Sequence, residues 1–196
     1  MRTLQLLALL AASGVCGCGN PGARSAAPAS SPEAASPLTP APTPAVPAPV
    51  GCGGAAPVAV DSAMEQELIE LVNAARRENH LSELRPSAGL ADAARLHALD
   101  LAREDYLEHD SYDRTGGRLV KSCEWSERVL RFVPGKRQLA ENIAAGAETP
   151  REVVEGWTRS SVHRRNMLGA AYTEIGVGYW PGGSAGFYWV ADFGGD

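Results

Sequence analysis

The sequence is short of several features that mark large classes of protein. Of its 196 residues, 18 are Lys or Arg and 23 are Asp or Glu, which gives a net charge of −5. An acidic balance argues against a general nucleic-acid-binding protein. The leucine-rich stretch 4–10 is too short to cross a bilayer. Cysteine is also scarce, because the chain has four in all and two of them lie within its first 18 residues.

The first 18 residues are typical of an export signal. Arg2 supplies positive charge, a short leucine-rich stretch follows, and small residues come next. The run Val15-Cys16-Gly17-Cys18 resembles the cleavage box of bacterial lipoproteins, with Cys16 as a departure at its middle position. We predict that residues 1–18 are a signal peptide and that Cys18 becomes the lipidated N-terminus, anchored in the periplasm or at the cell surface. The alternative is ordinary cleavage and secretion of a free protein.

Residues 19–60 have the composition of a disordered tether. They contain ten of the fourteen prolines, and their only charged residues are Arg24 and Glu33. With almost no large apolar side chains, the segment cannot offset the entropy lost on ordering. At about 3.1 Å per residue it would reach on the order of 100 Å, enough to hold a domain away from a membrane.

Two cysteines remain beyond the signal region, Cys52 and Cys123. In an exported protein two such thiols favour a disulfide, which would join the end of the tether to the middle of the domain. Unpaired thiols or an intermolecular bridge are the alternatives, because sequence alone does not place the two α-carbons within bonding distance.

Residues 61–196 are long enough to bury one core, and they carry 16 basic against 22 acidic side chains. The charge is uneven, since residues 110–137 hold seven basic side chains and four acidic ones. This basic insert has no sustained hydrophobic period, so we predict a functional or disordered excursion. Its positive charge could bind an anionic polymer of the envelope. The alternative is a solvated loop whose charge offsets the negative charge of the rest of the domain.

Three amphipathic helices are predicted in the domain. A capping box at Ser62–Glu65 starts a helix over residues 62–79, after which His80 is expected to be solvated. Pro86-Ser87 opens the second helix, whose apolar stripe is Leu90, Ala94, His97 and Leu101. His97 is interpreted as a core residue in preference to a ligand. Thr149–Glu152 is the start signal of the third helix, which ends at Ser160-Ser161.

Strand patterns complete an α+β domain. Residues 138–145 are predicted as a buried strand that carries Glu141 and Asn142. From Thr173 the hydrophobic period becomes two, and a glycine-rich turn joins two antiparallel strands. Gly176 and Gly178 leave one face of the first strand bare, which indicates a close approach by another element.

Two short runs carry the most polar chemistry: Ala140–Ala144, with Glu141 and Asn142, and His163–Leu168, with His163 and Asn166. Each places an ionisable group beside an amide that can make several hydrogen bonds. We predict that folding brings the runs together around a small polar cavity. A carboxylate and an imidazole in one cavity can bind a metal, transfer a proton or satisfy one another.

These runs, together with motifs elsewhere in the domain, match the pattern of a known family. Residues 62–193 resemble the CAP superfamily, also called SCP-domain proteins, and its bacterial branch in particular. The matching elements are Ala94-x-x-His97, His109-x-Ser111, Glu141–Ala144, Trp157 with Ser161–Arg164, and Thr173–Gly178.

The resemblance implies a three-layer α-β-α sandwich with a central antiparallel sheet. It also implies a cleft with two histidines and two acids, sometimes with a divalent metal. His109 would be the first histidine, Glu141 the first acid and His163 the second histidine. The second acid falls at Ser160, so this chain lacks it there.

Three chemical roles stay open for His109, Glu141 and His163. They could be three zinc ligands with an open fourth position, which would activate water for hydrolysis. Glu141 and His163 could act as an acid and base without metal, although the nearby Ser111, Ser160 and Ser161 have no assigned partner as nucleophiles. The three side chains could also brace the layers through hydrogen bonds, with or without weak metal binding, and we favour this role over catalysis.

We therefore expect an exported, lipid-anchored CAP-domain protein of the bacterial envelope. It would act as a binding or interaction module for a lipid or glycan, not as an enzyme and not with nucleic acid. The alternative is a metal-dependent hydrolase of peptidoglycan, peptide or lipid ester. A third interpretation is a purely structural envelope spacer.

Overall fold

The computed structural model describes residues 54–196. The predicted signal peptide, Cys18, Cys52 and the tether up to residue 53 lie outside the described residues. The helices are α1 (Ser62–Glu78), α2 (Ala88–Glu104), α3 (Trp125–Phe132), α4 (Pro150–Arg159) and α5 (Ser161–Met167). The strands are β1 (Arg85–Pro86), β2 (Ser111–Thr115), β3 (Arg118–Cys123), β4 (Gln138–Ala145), β5 (Glu174–Gly182) and β6 (Gly186–Gly195).

A four-stranded sheet in the order β1-β5-β6-β4 forms the middle of the domain. Strands β5, β6 and β4 are antiparallel neighbours, as predicted, whereas the two-residue strand β1 runs parallel to β5 at one edge. In this register Glu141 of β4 lies opposite Asp192 of β6, and Gly176 of β5 lies on the other side of Asp192. The sheet is therefore mixed, with an antiparallel centre.

Helices cover both faces of this sheet, which confirms the three-layer α-β-α sandwich. Helix α2 packs on one face through Ala94, Ala98 and Leu101, against Ile143 and Val190. The core on the other face joins α1, α4 and α5 to the sheet; it includes Leu68, Val72, Val153, Trp157, Met167, Val177, Trp189 and Phe193.

The two bare glycines of β5 are where α2 approaches the sheet. A Cβ on Gly176 would lie 2.0 Å from the Ala91 amide nitrogen, and one on Gly178 would lie 2.3 Å from the Ala94 carbonyl carbon. Both distances are far inside van der Waals contact, so no larger residue fits while α2 keeps its position. The predicted close approach is confirmed.

Helix α1 begins at Ser62 as predicted, but its capping residue differs. Asp61, not Ser62, is the N-cap, because its carboxylate accepts hydrogen bonds from the amides of Ala63 and Met64 at 3.0 and 3.1 Å. Glu65, assigned from sequence to a capping box, instead forms a bidentate ion pair with Arg95 of α2. A cap of this kind stabilises a helix by about 1 kcal/mol, and Asp serves as well as Ser.

The basic insert is folded rather than an irregular excursion. Strands β2 and β3 form a two-stranded hairpin, and α3 follows directly. Its turn uses Gly116 and Gly117 at φ +57° and +81°, the left-handed conformation that tight hairpin turns require. The disordered alternative is therefore wrong, while the functional one is not contradicted. The strands were missed because β3 is exposed along residues 118–122 and shows no apolar alternation.

Helix α4 begins as predicted, with Thr149 as N-cap in a complete capping box and Pro150 in the first turn. It ends at Arg159, but the chain then enters another helix, α5. His163 therefore lies inside a short helix and not at the free exit of the third one. Helix α5 is what fixes the position of both His163 and Asn166.

Arg76 holds the loop between α5 and β5. Only 1% of this residue is exposed. Its guanidinium donates hydrogen bonds to four main-chain carbonyls, those of Ser82, Met167, Gly169 and Tyr172, at 2.8–3.3 Å. The loop thus docks on the end of α1, and Tyr172 is positioned with it.

Candidate functional site

Glu141 is the centre of a buried ionic cluster on the α2 face of the sheet. Its Oε1 atom lies 2.8 Å from Nδ1 of His109, and Nη2 of Arg128 donates to its Oε2 atom. Arg128 also donates from Nη1 to the His109 carbonyl at 3.1 Å and to the Ser111 hydroxyl at 2.9 Å. Both oxygens of Glu141 are thereby engaged, and Arg128 and Glu141 are each only 1% exposed at the side chain.

The contacts in this cluster lower the pKa of its acid, Glu141, and raise the pKa of its base, His109. Burial alone would raise the pKa of Glu141, but the nearby Arg128, His97 and His109 outweigh burial and lower it. The hydrogen bond to Glu141 is the main cause that raises the pKa of His109. Glu141 is therefore an anion at neutral pH, and His109 is biased toward its protonated form.

His97 is a core residue, as predicted. It is fully buried, and its Nε2 atom lies 3.0 Å from the Glu108 carbonyl. A carbonyl only accepts, so Nε2 carries the proton and Nδ1 does not; Nδ1 has no partner among residues 54–196. Burial, followed by the charge of Arg128, lowers the pKa of His97 to about 3, which keeps the ring neutral.

Asp192 is a second buried acid that lies directly across the strand pair from Glu141. It is fully buried, and neither carboxyl oxygen has a hydrogen-bond partner among the described residues. Burial, and then the negative charge of Glu141, raise the pKa of Asp192 well above its usual range. A proton on Asp192 is what allows two carboxyl groups to share this small space.

The other face of β4 carries the amide network. Successive strand residues point to opposite faces, so Asn142 faces α5 while Glu141 faces α2. Asn142 donates to the His163 carbonyl at 3.0 Å, and Asn166 donates to the Asn142 side-chain oxygen at 2.9 Å and to the Glu141 carbonyl at 3.2 Å. The two runs predicted to meet are thus joined by their asparagines.

His163 itself stands apart from the ionic cluster. Its half-buried ring lies 6.4 Å from that of Trp157, and its side chain makes no hydrogen bond to residues 54–196. Burial, followed by the charge of His109, lowers the pKa of His163. The structure therefore joins His109 to Glu141 directly and brings His163 close enough to His109 for their charges to interact.

A cavity of about 260 Å³ opens beside the ionic cluster. It is lined by His109, Trp125, Leu139, Ala140, Glu141, Asn166 and Tyr172. The His109 side chain is 46% exposed, so this imidazole is the charged group that the cluster presents to a ligand.

Comparison with known proteins decides the family. The model of the cysteine-rich secretory protein family, CAP, matches residues 69–193, which is more than half of the chain. The chain belongs to the CAP family. The resemblance drawn from its motifs is thereby confirmed.

Several known proteins are similar to about two thirds of the chain or more. The uncharacterized protein YkwD of Bacillus subtilis is 35% identical over 132 residues, covering 67% of this chain and 47% of YkwD. An extracellular SCP-domain protein of Bacillus anthracis has a TM-score of 0.58 at 27% identity, covering 70% of this chain and 42% of that one. An outer surface protein of Borrelia burgdorferi shares the fold, with a TM-score of 0.60 at 18% identity over 68% of this chain and 93% of that one. The chain thus spans less than half the length of YkwD and of the B. anthracis protein.

Two residues of this CAP domain's site were missed from sequence. Arg128 lies in the basic insert and was counted as solvated charge, although α3 buries it. Asp192 interrupts the otherwise apolar run Tyr188–Phe193, and a single acid inside such a run is a signal that could have found it. The chain thus lacks an acid at position 160 but has a buried one, Asp192, on β6 beneath α2.

The side chains of the CAP domain, as folded, do not form a three-ligand metal site. Among residues 54–196 no group of three or more His, Cys, Asp or Glu side chains is placed to hold a metal ion. Glu141 already uses one oxygen on His109 and the other on Arg128, so it acts as the partner that orients His109. Zinc binding by His109, Glu141 and His163 would require Glu141 to release Arg128, and it stays a prediction.

None of the three candidate serines is arranged as a nucleophile. The Ser111 hydroxyl is buried and accepts from Arg128, and neither Ser160 nor Ser161 makes a side-chain hydrogen bond to a histidine among the described residues. Cys123 is disulfide-bonded and 4% exposed. Its predicted partner, Cys52, lies outside the described residues, so that pairing stays a prediction.

Proposed function

We propose that this protein is an exported, lipid-anchored CAP-domain protein of the bacterial envelope that binds a ligand at His109 and does not turn it over. The observation that carries the proposal is the buried pair of Glu141 and Arg128, which holds the half-exposed His109 imidazole at the rim of the cavity. Such a pair is costly to bury, and a rigid polar group at a cavity rim is suited to recognition.

The absence of an arranged nucleophile favours binding over catalysis. A serine hydrolase needs a hydroxyl within hydrogen-bond reach of its base, and the hydroxyls of Ser111, Ser160 and Ser161 make no such contact among residues 54–196. A metal-dependent hydrolase needs an open set of ligands, and Glu141 is already held on both oxygens.

The envelope location is supported by the export signal, the lipoprotein-like box and the proline-rich tether of the sequence. The B. anthracis relative is an extracellular protein by its own description. No helix among residues 54–196 is long and apolar enough to cross a membrane.

A pair of histidine variants tests the binding function. Binding of palmitate and of N-acetylglucosamine oligosaccharides to the full-length protein is measured by calorimetry for wild type, His109→Asn and His80→Asn. His80 is the matched control, because it is exposed at the end of α1 and adopts φ +57°, which Asn tolerates. We expect one probe class to bind, His109→Asn to weaken it at least about tenfold, equal to 1.4 kcal/mol, and His80→Asn to leave it unchanged.

Turnover decides between this function and its alternative. The same proteins are incubated with peptidoglycan, peptide and lipid-ester substrates, with and without added zinc, and the natively purified protein is assayed for metal. We expect no product from wild type. Stoichiometric zinc, together with a hydrolysis rate that falls in both His109→Asn and His163→Asn, would replace the binding module with a metal-dependent hydrolase.

A further inference from the structure

The cavity beside His109 has the size of a single ring. Its volume of about 260 Å³ is below the range of roughly 300–1,000 Å³ that holds drug-sized ligands. Its walls come from α3, β4, α5 and two loops, and they contain one fully aliphatic long side chain, Leu139. An extended acyl chain would bury little of its length here, whereas one six-membered ring fits.

Two aromatic side chains line this cavity, and neither is used by the fold as a hydrogen-bonding group. Trp125 is the first residue of α3 and Tyr172 lies in the loop before β5, and both are half-buried. The indole N–H of Trp125 and the hydroxyl of Tyr172 have no hydrogen-bond partner among residues 54–196. By contrast, the indole N–H groups of Trp157 and Trp189 donate to the carbonyls of Ile143 and Ala147.

Polar atoms of two further residues complete the lining. Because Nδ1 of His109 is bonded to Glu141, its Nε2 atom is the ring nitrogen left for a ligand. Asn166 uses its amide nitrogen on Glu141 and Asn142, so its side-chain oxygen is left as an acceptor. The cavity thus offers both donors and acceptors, which suits hydroxyl groups because a hydroxyl donates and accepts.

The charge at the cavity is carried by His109, because the hydrogen bond to Glu141 raises its pKa and favours the protonated imidazole. The Glu141 carboxylate is matched by the Arg128 guanidinium, and no oxygen of Glu141 is left free. A cationic ligand therefore finds no open carboxylate at this cavity. Aromatic faces together with unpaired donors and acceptors describe a site for a polyhydroxylated ring that carries no positive charge.

We propose that the cavity binds one pyranose ring of a polysaccharide, with its C–H face against Trp125 and Tyr172 and its hydroxyls bonded to His109 and Asn166. This inference rests on the proposed binding function and names the ligand class of that same site.

The four tryptophans allow a direct test in the full-length protein. Indole N–H resonances of the ¹⁵N-labelled chain are followed during titration with tetramers of N-acetylglucosamine or glucose, up to about 10 mM so that weak millimolar complexes are seen. The Trp125 resonance is identified by its loss in Trp125→Phe. We expect at least one oligosaccharide to shift it, while the resonances of Trp157 and Trp189 stay in place and report an intact fold.

Affinity measurements use a matched pair of variants. Trp125→Ala should weaken oligosaccharide binding roughly 2- to 10-fold, the factor that corresponds to one aromatic contact. Trp180→Ala should leave it unchanged, because Trp180 is also half-buried but packs against the Ala98 and Leu101 cluster and does not line this cavity.

The remaining outcomes test the assigned ligand class and the proposed binding function separately. If palmitate shifts the Trp125 resonance and neither oligosaccharide does, the sugar assignment is wrong and the binding function stands with a lipid ligand. If no probe shifts it, the sugar assignment is also wrong. If wild type cleaves the oligosaccharide and His109→Asn does not, the sugar class stands and the binding-only function fails.

Discussion

At the scale of single residues, Arg128 decides the charge of the cleft. It is 1% exposed, and its guanidinium contacts Glu141, Ser111 and the His109 carbonyl. Without it, a fully buried carboxylate would keep only His109 as a partner. The loop that carries His109 and the strand that carries Glu141 are thus held together by a residue of α3.

Replacing Arg128 by Met should destabilise the domain by about 3–5 kcal/mol, because it leaves the buried charge of Glu141 largely uncompensated. Arg131→Met is the control: it lies on the same helix, is exposed and has no ion pair among residues 54–196. Urea unfolding measures both. The double variant Arg128→Met with Glu141→Gln should recover part of the loss, and an equal or larger loss would contradict the ion-pair argument.

Asp192 should make the stability of the protein depend on pH. Its folded-state pKa is raised above that of the unfolded chain, so its contribution is fully present below the unfolded value, near 3.8, and is lost as pH rises toward the folded value. Glu141 and Arg128 are the charged groups that act on it.

Asp192→Asn lacks this pH-dependent loss, so its unfolding free energy should rise relative to that of wild type as the pH is raised above the unfolded value, near 3.8. The difference in unfolding free energy should grow by up to about 1.4 kcal/mol per pH unit, the value for one proton. Unfolding at several pH values measures the slope, and Asp92→Asn, at a partly exposed carboxyl of α2, is the control. Parallel profiles for Asp192→Asn and wild type would mean that Asp192 is ionised in the fold.

At the scale of elements, β4 links the two helical layers. Glu141 contacts His109 and Arg128 on the α2 side, and Asn142 contacts α5 on the other side. This follows from the period of two along a strand, and it explains why adjacent residues of one motif serve different layers.

The approach of α2 to β5 gives a sharp test of packing. Gly178→Ala should destabilise the domain by about 1–3 kcal/mol or more, because the new Cβ meets the α2 backbone, which has no rotamer to change. Gly156→Ala on α4 is the matched control, since nothing lies within 4 Å of its Cβ and Ala is the better helix former by about 1 kcal/mol. If thermal unfolding shows the two variants equally stable, α2 does not sit as close as described.

Elements with a repeating hydrophobic pattern or a cap motif could be predicted from the sequence. Features that depend on contacts between residues far apart in the chain could not. Strand β4, the β5–β6 hairpin and the capping box at Thr149 follow from alternation and cap chemistry, and each is confirmed. The exposed strand β3 has no alternation to read. Arg128 and Asp192 acquire their roles only from burial beside Glu141, which is fixed by the register of β4 on β6 and by the docking of α3.

At the scale of the whole molecule, the family and the layered fold could be reached from motifs. The contacts between the motif residues could not be reached in this way, because the sequence is equally compatible with three roles for His109, Glu141 and His163. They could be metal ligands, an acid–base set or braces between the layers. Only the structure shows that His109 contacts Glu141 directly, whereas the His163 side chain makes no hydrogen bond to either of them.

Membrane attachment is predicted to depend on Cys18, which lies outside the described residues. In a bacterial host, wild type should fractionate with membranes and carry an N-terminal lipid by mass spectrometry, while Cys18→Ser should lose both. Cys16→Ser is the control, because the lipoprotein-like box leaves that cysteine in the removed segment. Release by Cys16→Ser instead, or a free wild-type protein, would contradict the anchor.

Three of the four carbonyls held by Arg76, those of Met167, Gly169 and Tyr172, have a consequence for how this domain can vary. The guanidinium recognises the main chain of the segment between α5 and β5 and ignores its side chains. Apart from Gly169, where a Cβ would lie 2.4 Å from the Tyr172 ring, substitutions there should leave these hydrogen bonds intact. An insertion or deletion would instead move the carbonyl oxygens out of reach of the guanidinium. The length of that connection, more than its composition, is what keeps Tyr172 at the ligand cavity.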